Sequence, residues 1–249
     1  VRILAISDIH GHADALAAVL ATAERRGYDK LLCAGDLCFP GPQPLETWRR
    51  LVQAGAVCAQ GVGDRALAMI DPATLQPRSE HERLRLDRLA EVRRDLGEII
   101  LTRLARLPPL VRLPLDDGNE LVLVHGSPAD PTEPITHDMS DEEISALLGD
   151  DPADIVVCGG SHVPFERMVS GVRVINVGSV GEAPRGAAPF VHADAILIEV
   201  KPLVAATKAG AKKTSRAGAG SPASTAGSPE SPAESILIER LVVPLGKAA

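Results

Sequence analysis

The sequence predicts an α/β fold with a parallel core and added antiparallel strands. Three observations predict it. Short apolar runs alternate with helical patterns over the first sixty residues, in the order β-α-β-α-β. Later apolar runs face each other across turn sequences, as hairpins do. Finally, 249 residues that are 45% hydrophobic and 24% charged, with mean hydropathy +0.08, suffice for one sizeable core.

Residues 2–6 (RILAI) read as a buried strand. From Asp14 to Arg26, Leu16, Val19 and Leu20 recur at helical spacing, and Gly27 stops the helix. Residues 30–34 form a second strand, 45–54 a second helix and 56–60 a third strand. Residues 79–107 read as one long charged helix, with Ser79-x-x-Glu82 as a capping box and Pro108-Pro109 as the stop. Its inward face is predicted to carry Leu84, Leu89, Val92, Leu96, Ile99 and Ile100.

Strands at 110–115 and 120–124 flank Asp116-Asp117-Gly118-Asn119, a hairpin turn. Ser140-x-x-Glu143 caps a helix that runs to Leu148, and 155–158 is a short buried strand. Residues 167–169 and 172–174 flank Ser170-Gly171 as a second hairpin. Residues 195–200 and 236–243 are predicted to be two arms of one hairpin with a long insertion at its tip.

That insertion, 204–234, is almost entirely Ala, Gly, Ser, Thr, Pro and Lys. It cannot bury enough apolar surface to offset its ordering entropy, so a disordered linker is expected. The chain therefore divides into a domain over 1–203, the linker, and a returning strand within 235–249 that completes the same domain.

Charge and composition narrow the function. The net charge is −7, and residues 201–216 carry five cations with no acid, leaving −12 on the rest. An acidic body with 2% aromatics offers neither a phosphate-tracking surface nor stacking platforms, so nucleic acid is not the expected partner; the basic run is a weak hint of one. No apolar run approaches the ~20 residues of a membrane span. The start reads as no signal peptide, and Cys33, Cys38, Cys58 and Cys158 contain no C-x-x-C pair; a cytoplasmic protein with reduced thiols is expected.

The polar residues cluster after the predicted strands. Asp8-Ile9-His10-Gly11 follows the first, Gly35-Asp36 the second and Gly61-Val62-Gly63-Asp64 the third. His125-Gly126 follows 120–124, and Gly159-Gly160-Ser161-His162 follows 155–158. Ligands of open α/β sheets bind outside the carboxyl ends of the strands, so these groups converge on one edge. A mixed set of Asp oxygens and His nitrogens suits manganese, iron, zinc or cobalt rather than calcium.

This ordered series resembles the calcineurin-like metallophosphoesterases. His125-Gly-Ser-Pro and Asn176-Val-Gly-Ser-Val-Gly are similar to the small bacterial phosphodiesterase branch. The resemblance covers roughly residues 2–200 plus the last strand. It implies two mixed β-sheets packed as a sandwich, flanked by helices, with a two-metal site at the sheet edge. By the resemblance, Asp8, His10 and His162 hold a first divalent ion, Asp36 bridges both and His125 belongs to the second. Asp36, His125 and Asp64 are then the catalytic candidates, and His12, Ser127, Asn176 and Ser179 the substrate or rim candidates. Manganese is the first expectation for the ion, and small phosphoesters for the substrate. A homo-oligomer is left open. Arg185 reads as a solvated loop residue, with a phosphate contact as the alternative.

The chain departs from the family pattern at three places. Val62 stands where an Asn binds the second ion, Gly63 where some members place a leaving-group acid, and Gly160 where a His binds the second ion. The expectation is one firmly held ion, a weak or absent second, and slow phosphodiester hydrolysis. The alternative is a catalytically weak or inactive protein that binds metal or a phosphate ligand.

Overall fold

The computed structural model describes residues 1–150, 153–184, 190–201 and 236–247. Ten strands form two five-stranded mixed sheets. The first comprises β1 (Arg2–Ile6), β2 (Lys30–Cys33), β3 (Val57–Cys58), β9 (Phe190–Val200) and β10 (Ile236–Lys247), in the order β10-β9-β1-β2-β3. The second comprises β4 (Leu110–Pro114), β5 (Glu120–Val124), β6 (Ile155–Cys158), β7 (Phe165–Val169) and β8 (Val172–Asn176), in the order β4-β5-β6-β8-β7.

Each sheet has the predicted parallel core. β1, β2 and β3 pair in parallel, as do β5, β6 and β8, and antiparallel strands complete both sheets. The period of two along each strand assigns its side chains to layers. Ile3 and Ala5 of β1 meet Leu121, Leu123, Val157 and Ile175 in the core between the sheets. Leu4 and Ile6 face the other way, onto Leu16 and Val19 of helix α1 (Ala13–Arg26). On the far side, Val122, Val124 and Val156 pack on Ile144 and Leu148 of a helix spanning Asp141–Leu148. The result is a two-sheet sandwich flanked by helices.

β9 and β10 pair antiparallel from Ile236↔Val200 to Lys247↔Phe190, longer than the predicted arms. The expected linker, 204–234, and Arg185 lie outside the described residues. Among the described residues, no helix is long and apolar enough to cross a membrane.

Three further α-helices lie between β2 and β4, α2 (Pro44–Gln53), α3 (Val62–Met69) and α4 (Glu80–Ala105), with a short 3-10 turn at Pro72–Thr74. The Asp141–Leu148 helix is therefore α5. No helix is predicted from the sequence over 62–69, where α3 lies. Residues 79–107 are predicted as one uninterrupted helix, whereas Gly97 (φ 72°, ψ 165°) breaks α4.

That break corrects the predicted inward face. Leu89, Val92 and Leu96 are buried before it and Leu101 and Leu104 after it, whereas Ile99 is 75% exposed. One non-helical residue shifts the phase of the positions beyond it, so of the two expected inside past Gly97, Ile99 turns outward while Ile100 still packs, half-buried, against the core. Leu84, also expected inside, is 57% exposed because its turn overhangs a cavity rather than the core.

Candidate metal centre

The loops after β1, β2, β5, β6 and β8 are bound to one another through their backbones. Asp8 N–H donates to Gly35 O and His10 N–H to Asp36 O, while Gly159 N–H donates to His125 O. Val180 and Gly181 N–H groups donate to Ser7 and Asp8 carbonyls. Asp8, His10, Asp36, His125 and His162 are thereby brought to one edge of the sandwich.

Four of these five have left-handed backbones: Asp8 (φ 52°), His10 (φ 50°), Asp36 (φ 53°) and His162 (φ 60°). Among the described residues, the only other non-glycine of this kind is Ser170, in the hairpin turn between β7 and β8. Such a conformation costs an ordinary residue about 1–2 kcal/mol and persists where the surroundings impose it. The paired loops impose it here, and the strain is concentrated on the groups that carry chemistry.

His10 Nδ1 faces Phe39 O at 2.6 Å and His125 Nδ1 faces Ala34 O at 3.0 Å. Each ring therefore donates Nδ1–H to a carbonyl and presents Nε2 inward. His10 Nε2 lies 3.1 Å from His162 Nε2 and 3.6 Å from Asp8 Oδ1, and His162 Nε2 lies 3.2 Å from that same oxygen. Asp8 Oδ1 is fully buried and has no hydrogen-bond partner among the described residues. Its partner Oδ2 accepts from Gly160 N–H at 2.9 Å.

A buried, orphaned carboxylate oxygen beside two converging ring nitrogens fits a cation. Ions held at about 2.0–2.2 Å by N and O donors place adjacent donors about 3 Å apart. The donor atoms form two groups, Asp8–His10–His162 and Asp8–Asp36–His125. Asp8 is common to both groups. Gly63 N–H donates to Asp36 Oδ1 at 2.6 Å, and Asp36 Oδ2 lies 3.7 Å from His125 Nε2.

The electrostatics agree with this grouping. Burial alone would raise the Asp8 carboxyl, but the His10 and His162 rings beside Oδ1 hold it well below the usual range. Burial would lower His10, yet Asp8 and the Asp36 charge push it up to about 9. The adjacent Asp8 carboxylate also raises His162 against its burial.

The sequence matches the model of the calcineurin-like phosphoesterase superfamily domain over residues 1–195. The chain belongs to that superfamily. An uncharacterized protein of Methanocaldococcus jannaschii is 24% identical over 180 residues, covering 72% of this chain and 69% of that one. Among solved structures, a metallophosphoesterase from Sphaerobacter thermophilus is similar at TM-score 0.60 and 26% identity, over 79% of this chain and 82% of that one. A hypothetical protein from Pyrococcus horikoshii OT3 shares the fold at TM-score 0.63 and 23% identity, with the same coverages.

Other candidates in this phosphoesterase domain stand back from the centre. Asp64, expected among the catalytic groups, is fully buried and accepts from Asp36, Leu37 and Gly61 N–H groups at 2.9–3.0 Å. Burial and the Asp36 charge raise its pKa, against the Gly61 and Leu37 N–H donors. It fixes the Asp36 loop and the start of α3. His12 lines a separate groove with Asp14 and Leu245.

Ser127 closes a turn onto Asp130. Asn176 Nδ2 donates to Gly159 O at 2.8 Å, and Ser179 Oγ donates to Asp8 O at 2.8 Å. All three are fully buried, so they position the loops rather than line the rim.

The reading missed Glu182. Its carboxylate lies 3.8 Å from both His10 Nε2 and His162 Nδ1, and Ser179 Oγ accepts its N–H. Its only sequence signal is its place at the end of the glycine-rich run 178–182. Close backbone approach also matters: a Cβ at Gly41 would sit 1.8 Å from His10 O. Gly41→Ala is expected to cost about 1–3 kcal/mol, because neither backbone can give. Urea denaturation checks this, and an unchanged midpoint contradicts it.

Proposed function

We propose that this protein is a metal-dependent phosphoester hydrolase that cleaves small phosphodiesters with metal-activated water. One divalent ion, manganese in preference, is held firmly by Asp8, His10 and His162 with Asp36 nearby; a second site, at Asp36 and His125, is impaired. The observation that carries the reading is the convergence of His10 Nε2 and His162 Nε2 on the orphaned Asp8 Oδ1. A bound divalent ion supplies Lewis acidity toward the phosphate and a nucleophilic water at neutral pH.

The chain's own residues set the rest. The carbonyls of Phe39 and Ala34 fix the tautomers of His10 and His125, and Gly63 N–H fixes the Asp36 carboxylate. Gly63 has no side chain with which to protonate a leaving group, which costs ~10²–10⁴ in rate for an alkoxide and far less for an aryl oxide. Bis-p-nitrophenyl phosphate is thus the first substrate to try. Turnover with Mn²⁺ that EDTA abolishes and Mn²⁺ restores supports the reading, and metal-independent or absent turnover contradicts it.

Val62, Gly63 and Gly160 favour a second reading, in which the same fold binds metal or a phosphate ligand without efficient turnover. Metal binding without hydrolysis in that assay selects it.

The raised His10 gives a pH prediction. Raised above its ordinary value, it stabilises the apo protein fully below pH ~6.5, and that contribution is lost as pH rises through about 9. Metal must displace the same proton, so affinity is expected to rise with pH, by up to about tenfold per unit, until pH 9. Titration calorimetry at pH 7.5 in buffers of different ionisation enthalpy should find proton release on Mn²⁺ binding. No release contradicts the assignment of His10.

A further inference from the structure

A cavity of about 540 Å³ opens directly beside the candidate centre, bounded there by His10, Asp36 and Gly63. Glu182, from the loop after β8, closes one side, and three further segments form the walls. Phe39 and Pro40 follow β2, and Val62 and Ala66 lie on α3; the N-terminal half of α4 contributes His81, Leu84 and Arg85.

Two features of these walls are turned to the open space of the cavity. Val62 and Leu84 are aliphatic yet 47% and 57% exposed, from neighbouring helices into one space. Arg85 is exposed and, among the described residues, makes no hydrogen bond or ion pair. The neighbouring Arg88 is by contrast committed, to Pro40 O, Gly41 O and Glu91. An apolar slot with one uncommitted guanidinium, continuous with a phosphate-binding centre, selects a particular ester substituent.

We infer that the cavity between α3 and α4 seats a planar aromatic group on the substrate's phosphate, against Phe39, Val62 and Leu84 and beneath Arg85. This rests on the phosphoesterase reading and names its substrate class: aryl phosphoesters rather than alkyl or sugar phosphates. A guanidinium stacks on aromatic rings, and aliphatic walls accept a ring's faces without requiring polar partners. The volume lies within the range of small-molecule sites.

Leaving-group chemistry agrees. Water oxygen forms the new bond to phosphorus and the ester P–O bond breaks. The aryl group departs with the bonding pair as an aryloxide, and the water proton passes to solvent. An aryloxide needs no proton at departure, which matches the absence of an acid at Gly63.

Non-hydrolysable phosphonates separate the cavity from the chemistry. Titration calorimetry on the manganese-loaded full chain compares phenylphosphonate with methylphosphonate. Phenylphosphonate is expected to bind about tenfold tighter or more, the value of an aromatic group filling an apolar pocket. That ratio is expected to fall several-fold in Leu84→Gln and in Arg85→Ala, both exposed positions. Equal affinities in the wild type, or a ratio that either variant leaves unchanged, overturn the inference and leave the phosphate site standing. Binding of neither phosphonate overturns the proposed function, and the inference with it.

Discussion

Asp36→Asn is expected to reduce Mn²⁺-dependent hydrolysis of bis-p-nitrophenyl phosphate by about 10²-fold or more while leaving the fold intact. The Asp36 carboxylate is pinned by Gly63 N–H on one oxygen and faces His125 Nε2 with the other. An amide of the same size keeps the packing but removes the negative charge and the second anionic donor. Metal-ion catalysis supplies several kcal/mol of transition-state stabilisation, and each 1.36 kcal/mol is a factor of ten. Unaltered circular dichroism with lost turnover is the expected pair of results. Turnover equal to the wild type would place the chemistry elsewhere.

The second large effect is a gain. Val62→Asn combined with Gly160→His is expected to raise turnover at least tenfold and to increase tightly bound Mn²⁺ from one ion per chain to two. Val62 is the first residue of α3 and lines the cavity beside Asp36 and Gly63. A Cβ at Gly160 would lie 3.5 Å from His125 Nε2 and 3.3 Å from His125 O and Pro134 Cβ, so a histidine there starts next to the residue it would assist.

The backbone at 160 is left-handed (φ 74°), a cost of about 1–2 kcal/mol for a non-glycine residue. Asp8, His10, Asp36 and His162 already bear that cost. A second ion without faster turnover would show that the missing acid at Gly63, rather than the missing ligands, limits the rate. No second ion would contradict the account of the impaired site.

Much of this architecture is legible in the residues because strand ends carry local signals. Asp8, His10, Asp36, His125 and His162 each follow an apolar run and have a glycine within three residues, so topology alone sends them to one edge. The β9–β10 pairing is legible because both runs are apolar and alternate in register despite the insertion between them.

Three things were not legible, each for a physical reason. The start of α3 contains two glycines, and what secures it is the Asp64 carboxylate accepting Gly61, Asp36 and Leu37 N–H groups, two of them from a distant loop. The phase slip at Gly97 depends on one backbone conformation that composition does not announce. Asn176, Ser179 and Glu182 owe their roles to contacts with partners at 159, 8 and 10, visible only once the sheets are assembled. Sequence spacing identifies groups that point into a site far better than groups that hold its loops.

The account's central claim is that Asp8 is the anchor of a firmly bound divalent ion. Equilibrium dialysis against Mn²⁺, on the wild type beside Asp8→Asn, tests it most directly. The prediction is one tightly held ion per wild-type chain and none in the variant. A wild type that retains no ion, or a variant that retains it undiminished, would contradict the claim.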